Sequence, residues 1–241
     1  MFYQDSIHKK SVNQKQLALL VDPDKYSQES LALFVELAKE TLPDCIMVGG
    51  SLVAGSVEQV VQYIKSHTNI PVVLFPGNSH QLCNEADALL LLSLLSGRNA
   101  DFLIGQHVVA AKAIRDSGIE SISTGYILID GGCSTSVEYM SNTKPIPRDK
   151  VEIIVATAIA GELIGNCMVY LEAGSGAINP VSKEAIQAVR QAISLPIIVG
   201  GGIRTVEQAK DAYLAGADMI VVGNALEKDR FFMRDLAQIR G

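Results

Sequence analysis

Eight short apolar runs recur along the chain, and helix-forming segments separate most of them. The runs are Leu17–Val21, Cys45–Val48, Pro71–Phe75, Ala88–Leu92, Ser121–Ile129, Cys167–Leu171, Pro196–Val199 and Asp218–Val222. Most of them stop at glycine or a carboxylate. Between them lie Leu31–Glu40, a face of Val57, Val60, Val61 and Ile64, then Asp101–Ser117 stopped by Gly118, Val151–Ile164 and Ser182–Ile193. Thr205 caps a helix to about Ala215, and Asp229–Ile239 reads as a closing amphipathic helix. Strict alternation of buried strands and helices implies parallel strands with crossover helices. Eight such units in 241 residues favour a closed α/β barrel of the (β/α)8 type over an open doubly wound sheet. With no linker or shift in composition, residues 1–241 read as one domain.

One unit breaks the rhythm. Between Phe75 and Ala88 the connection is too short for a full helix and opens with Pro76-Gly77. The third helix is therefore predicted to be missing or reduced, leaving the barrel wall open there. The stretch Cys133–Lys150, with Pro145 and Pro147, reads as the longest loop.

Bulk properties remove several classes of function. A chain that is 48% hydrophobic and 19% charged can bury a large core. Its net charge of -6 argues against a nucleic-acid partner, which usually needs a basic face. The longest apolar run, Ala88–Leu95, falls short of the roughly 18 residues that span a bilayer. Met1–Ser6 lacks the basic-then-apolar order of a signal peptide. Cys45, Cys83, Cys133 and Cys167 show no CxxC spacing and read as free thiols in a reducing cytoplasm.

In such barrels the chemistry sits at the C-terminal ends of the strands. The seventh and eighth runs end in Gly200-Gly201-Gly202-Ile203-Arg204 and Gly223-Asn224-Ala225, where loop amides and a helix N-terminus commonly hold phosphate. The sixth run stops at Glu172 and opens into Ala173-Gly174-Ser175-Gly176, a second small-residue loop suited to an anion. Glu172 is the best candidate general base, with Tyr170 as an orienting hydroxyl. Asp22, in Asp22-Pro23-Asp24-Lys25, places a carboxylate over the barrel mouth and suits Mg²⁺ shared with a substrate phosphate; a turn or cap role is the plainer reading. Ser51 offers a second oxygen. No strand carries a lysine for Schiff-base chemistry, and His8, His67, His80 and His107 read as surface or structural residues. A sugar-phosphate isomerase, another phosphate-binding barrel enzyme or a non-catalytic phosphate-ligand barrel would share many of these features.

Taken together, Asp22-Pro23-Asp24-Lys25, Gly49-Gly50-Ser51, Phe75-Pro76-Gly77-Asn78, Tyr170–Gly176, Gly200–Ile203, Gly223-Asn224 and the segment Ser136–Arg148 resemble the geranylgeranylglyceryl phosphate synthase family. The likeness runs in order through nearly the whole chain. It implies a TIM barrel lacking its third helix and a prenyltransferase. The reaction would join geranylgeranyl diphosphate, or another long-chain prenyl diphosphate, to sn-glycerol 1-phosphate through an ether bond, with Mg²⁺. By resemblance, Asp22 and Ser51 hold the metal. Glycerol phosphate then sits against Tyr170, Leu171, Glu172, Ala173, Gly174, Ser175, Gly176, Gly201, Gly202, Gly223 and Asn224. A homo-oligomer and transient contact with the membrane surface are further implications.

Overall fold

The computed structural model describes residues 1–240. Eight parallel strands close into a barrel: β1 (Gln16–Val21), β2 (Cys45–Val48), β3 (Val72–Leu74), β4 (Ala88–Leu94), β5 (Glu120–Leu128), β6 (Met168–Glu172), β7 (Ile197–Gly200) and β8 (Met219–Val222), with β8 pairing back onto β1. Ten α-helices accompany them among the described residues: α1 (Phe2–Ser11), α2 (Gln28–Thr41), α3 (Val57–His67), α4 (Gln106–Ser117), α5 (Ser136–Ser141), α6 (Val151–Leu163), α7 (Lys183–Ala192), α8 (Val206–Ala215), α9 (Asn224–Lys228) and α10 (Phe232–Ala237). The (β/α)8 expectation is met. No α-helix joins β3 to β4; residues 76–87 cross as a loop whose Cys83 and Ala86 fill the outer apolar layer in a helix's place.

Side-chain alternation divides the core in two. Leu17, Leu19 and Val21 of β1 and Val169 and Leu171 of β6 point outward into the layer under the helices. Ala18 of β1 and Met168 and Tyr170 of β6 point into the barrel. This period of two is what makes Tyr170 and Glu172 share one face at the open end. Helix ends follow local chemistry. Thr205 and Gln208 form a capping box at the start of α8, and Gly118 ends α4 in the left-handed region at φ 69°.

Three features depart from the sequence reading. Helix α1, absent from it, seats Phe2 in the inner barrel cluster, and the Glu120 carboxylate accepts the Phe2 and Tyr3 N–H groups. The Cys133–Lys150 loop contains α5, started by Thr135 and ended by Asn142 in the left-handed region. The closing helix is shorter than Asp229–Ile239, because Asp229 is extended and its carboxylate accepts the Phe231 N–H at 3.0 Å, separating α9 from α10. The four cysteines are unpaired, and no helix is long and apolar enough to cross a membrane among the described residues.

Candidate active site

The C-terminal ends of the strands surround a polar cavity of about 490 Å³. Asp22, Ser51, Tyr170, Glu172, Ser175, Gly176, Gly201, Gly202, Gly223 and Asn224 all line it. Leu171 and Ala173 do not: their side chains pack into the outer apolar layer, the result of strand alternation. Gly174 is buried behind the wall, and its N–H is already donated to Glu172 Oε1 at 2.6 Å.

Glu172 is the chemical centre of this cavity. It is 6% exposed, and burial pushes its carboxyl up to about 7, with the Gly174 N–H and the Tyr170 hydroxyl pulling partly back. Such a group can take a proton near neutral pH, whereas an ordinary carboxylate is too weak a base. Tyr170 stays protonated, since burial and the neighbouring Glu172 charge both raise it. Its ring stacks on Phe75 at 5.2 Å and meets Tyr126 at 5.4 Å, so the phenol is held toward the carboxylate.

Glycines bring β7 against this pair. A side chain at Gly200 would strike the Tyr170 hydroxyl and Glu172 Oε2. Gly201 and Gly202 lie at φ +78° and +73°, in the region that favours glycine. The β6 loop is tied across to β8: Asn224 Oδ1 accepts the Ser175 hydroxyl at 3.0 Å and the Gly176 N–H at 3.2 Å. The Arg204 guanidinium donates to the carbonyls of Gly176, Ala177 and Ile178. Three loops are thus tied into one glycine-rich wall, whose β8 end adjoins the β1 strand that carries Asp22.

Asp22 is half-buried, and its carboxyl is raised chiefly by desolvation, with the Asp24 N–H at 3.0 Å partly offsetting it. Asp24, by contrast, is committed to the Ala54 and Gly55 N–H groups, which hold it low. Among the described residues no three His, Cys, Asp or Glu side chains gather as a metal cluster. The Asp22 carboxylate and the Ser51 hydroxyl, both lining the polar cavity, are nonetheless a donor set that fits Mg²⁺, which keeps waters and completes its shell with substrate oxygens.

A second, apolar cavity opens where the third helix is missing. Leu89–Leu92, Phe102, Ala110, Ile114 and Met140 contribute to its walls. Gly50, Ser51, Phe75, Tyr126 and Val137 line both cavities, so the groove runs into the polar site. Phe75 and Tyr126 were not singled out as site residues in the sequence. Alternation supplies a signal for Phe75, two residues after inward Val73, and for Tyr126, at the same level as Tyr170. Of the histidines, His80 is exposed and His107 sits in the groove wall with Nε2 2.8 Å from the Leu92 carbonyl.

Residues 10–240 match the model of the PcrB family. A geranylgeranylglyceryl phosphate synthase from Spirosoma linguale is 49% identical over 93% of this chain and 91% of its own length. One from Thermococcus gammatolerans is 45% identical over 92% of this chain and 88% of its own. The crystal structure of the Thermoplasma acidophilum (S)-3-O-geranylgeranylglyceryl phosphate synthase in complex with its substrate sn-glycerol-1-phosphate superposes with a TM-score of 0.92. That protein is 34% identical, and the match covers 99% of this chain and 96% of the other. On the family match over residues 10–240 and the similarity of its sequence and barrel to these proteins, this chain belongs to the PcrB family, with the geranylgeranylglyceryl phosphate synthases among its relatives.

Proposed function

We propose that this protein is a geranylgeranylglyceryl phosphate synthase, transferring a geranylgeranyl group from its diphosphate to the free primary hydroxyl of sn-glycerol 1-phosphate. The observation that carries this reading is the apolar groove that enters a polar cavity beside Glu172. A phosphate-sugar enzyme has no use for such a groove, while a long prenyl chain requires one. The glycine-rich loops after β7 and β8, with Gly201, Gly202, Gly223 and Asn224 in the cavity lining, suit the glycerol phosphate. The relatives' activity and the substrate bound in the Thermoplasma protein support the same assignment.

In the reaction the glycerol hydroxyl oxygen attacks the allylic C1 of the donor. The new ether C–O bond forms as the C1–O bond to diphosphate breaks, and Glu172 receives the hydroxyl proton. Tyr170 holds the carboxylate in place through its hydroxyl. Asp22 and Ser51 would hold Mg²⁺, which when bound supplies positive charge to the leaving diphosphate. Exposed Ile153, Leu163 and Ile164 around α6 are suited to contact between copies of a homo-oligomer.

Ala110 tests where the donor chain lies. It is buried in the groove wall, so Ala110→Phe fills part of the groove. Transfer from geranylgeranyl diphosphate is expected to fall at least about tenfold relative to transfer from geranyl diphosphate. An unchanged preference among a ladder of donor lengths would place the chain elsewhere.

A further inference from the structure

Where the third helix is missing, one side chain of the connecting loop links two neighbouring loops. Gln81 is 4% exposed, in the loop between β3 and β4. Its amide turns inward, while Cys83 and Ala86 of the same loop fill the outer layer. Gln81 Nε2 donates to the Gly50 carbonyl at 2.8 Å, and Oε1 accepts the N–H groups of Gly50 and Gly77, each at 3.3 Å. The amide therefore fastens the loop after β2 to the loop after β3.

These loops meet backbone to backbone. A side chain at Gly77 would run into the Gly50 carbonyl and the Ser51 backbone, and one at Gly49 into the Phe75 carbonyl. A Cβ on Gly50 would lie 3.2 Å from Asp22 Oδ2. Gln81 thus holds Gly50, beside Asp22 and Ser51, and Gly77, beside Phe75. Gly50, Ser51 and Phe75 line both the apolar groove and the polar cavity. A donor lying as proposed above crosses this seam at its C1–diphosphate end.

We propose that Gln81 is a positioning residue for the prenyl donor, fixing the seam so that the chain and the diphosphate are held together at the right separation. The inference rests on the proposed transfer reaction. It assigns no role toward glycerol phosphate, whose loops lie across the barrel on β6, β7 and β8.

The test is Gln81→Met, of similar length but unable to make the three hydrogen bonds, with Gln81→Glu as a second variant. Glutamate keeps an acceptor for the Gly50 and Gly77 N–H groups but cannot donate to the Gly50 carbonyl. Two quantities are read: the KM for geranylgeranyl diphosphate at saturating glycerol phosphate, and the Kd of its non-ionising thiolodiphosphate analogue by calorimetry with Mg²⁺. Both are expected to rise about tenfold in Gln81→Met and by less in Gln81→Glu. The Kd of sn-glycerol 1-phosphate should stay within about twofold of wild type.

Unchanged donor KM and analogue Kd in either folded variant would overturn the proposal. So would equal weakening of both substrates, which marks a general structural role. Should Gln81→Met fail to fold, Gln81→Glu carries the same two readouts. If the wild-type protein itself transfers no prenyl group, the proposed reaction fails, independently of either variant.

Discussion

Glu172→Gln is expected to lower kcat by about 10²–10⁴-fold while leaving the affinity for sn-glycerol 1-phosphate within about twofold of wild type. The amide keeps the size of the side chain and an oxygen to accept the Gly174 N–H, so the glycine wall stays in place. It cannot take the hydroxyl proton. The pH profile gives a second signature. With the carboxyl at about 7, the reactive ionised form is lost as pH falls below that value, so wild-type kcat/KM should drop about tenfold per pH unit on the acid side. The glutamine variant's residual rate should lack that limb.

Stability moves in the opposite direction. The folded carboxyl binds its proton more tightly than an unfolded glutamate, whose ordinary value is 4.5. Relative to an ordinary carboxyl, Glu172 therefore favours folding most below the unfolded value, and that contribution is lost as pH rises to about 7. At pH about 8, where wild type buries a charged group, Glu172→Gln should melt no lower than wild type. Differential scanning calorimetry across pH reads this directly. Full turnover in the variant would remove Glu172 from proton transfer.

Gly201→Ala is expected to damage the site strongly. Alanine at φ +78° pays backbone strain of about 1–2 kcal/mol before any contact is considered. The added Cβ would then lie 2.7 Å from the Gly174 nitrogen and 2.9 Å from the Ala173 nitrogen, and closer still to Glu172 Oε1. None of these is a flexible chain end: two are backbone, and the third is the base itself. A total loss of about 2–4 kcal/mol follows, with the KM for glycerol phosphate raised at least about tenfold. Gly118→Ala is the matched control. It shares a positive φ of +69°, but nothing lies within 4 Å of its Cβ. That variant should show the strain without the kinetic defect. Equal kinetics in the two variants would mean that the β6–β7 approach does not shape the phosphate site.

The fold was legible wherever burial imposed a period. A parallel barrel strand is covered on both faces, so its apolar run is continuous and marks itself, as Ala88–Leu92 does. The missing helix was legible as a distance, since a dozen residues opening with Pro76-Gly77 cannot cross as a helix. Helix α1 was not legible, because only Phe2 and Ser6 of it are buried and its pattern carries no clear face. The short α5 depends on one cap and one left-handed Asn142, signals too small to stand out inside a polar stretch.

At the site, Glu172, Asp22 and the glycine loops were legible because strand ends advertise them. Gln81 was not, as a loop glutamine has no periodic partner and shows its role only when two backbones approach it from different strands. Leu171 and Ala173 show the converse. They fall inside the motif by resemblance, yet their side chains belong to the outer core.

Transfer itself is the most direct test of the account. Radiolabelled sn-glycerol 1-phosphate would be incubated with the protein, Mg²⁺ and geranylgeranyl diphosphate, and label extractable into organic solvent would be counted. The account predicts extractable label that disappears with chelator and is absent when the sn-3 enantiomer replaces the substrate. Glycerol phosphate that binds tightly but never enters the organic phase, with any prenyl donor from geranyl upward, would contradict it.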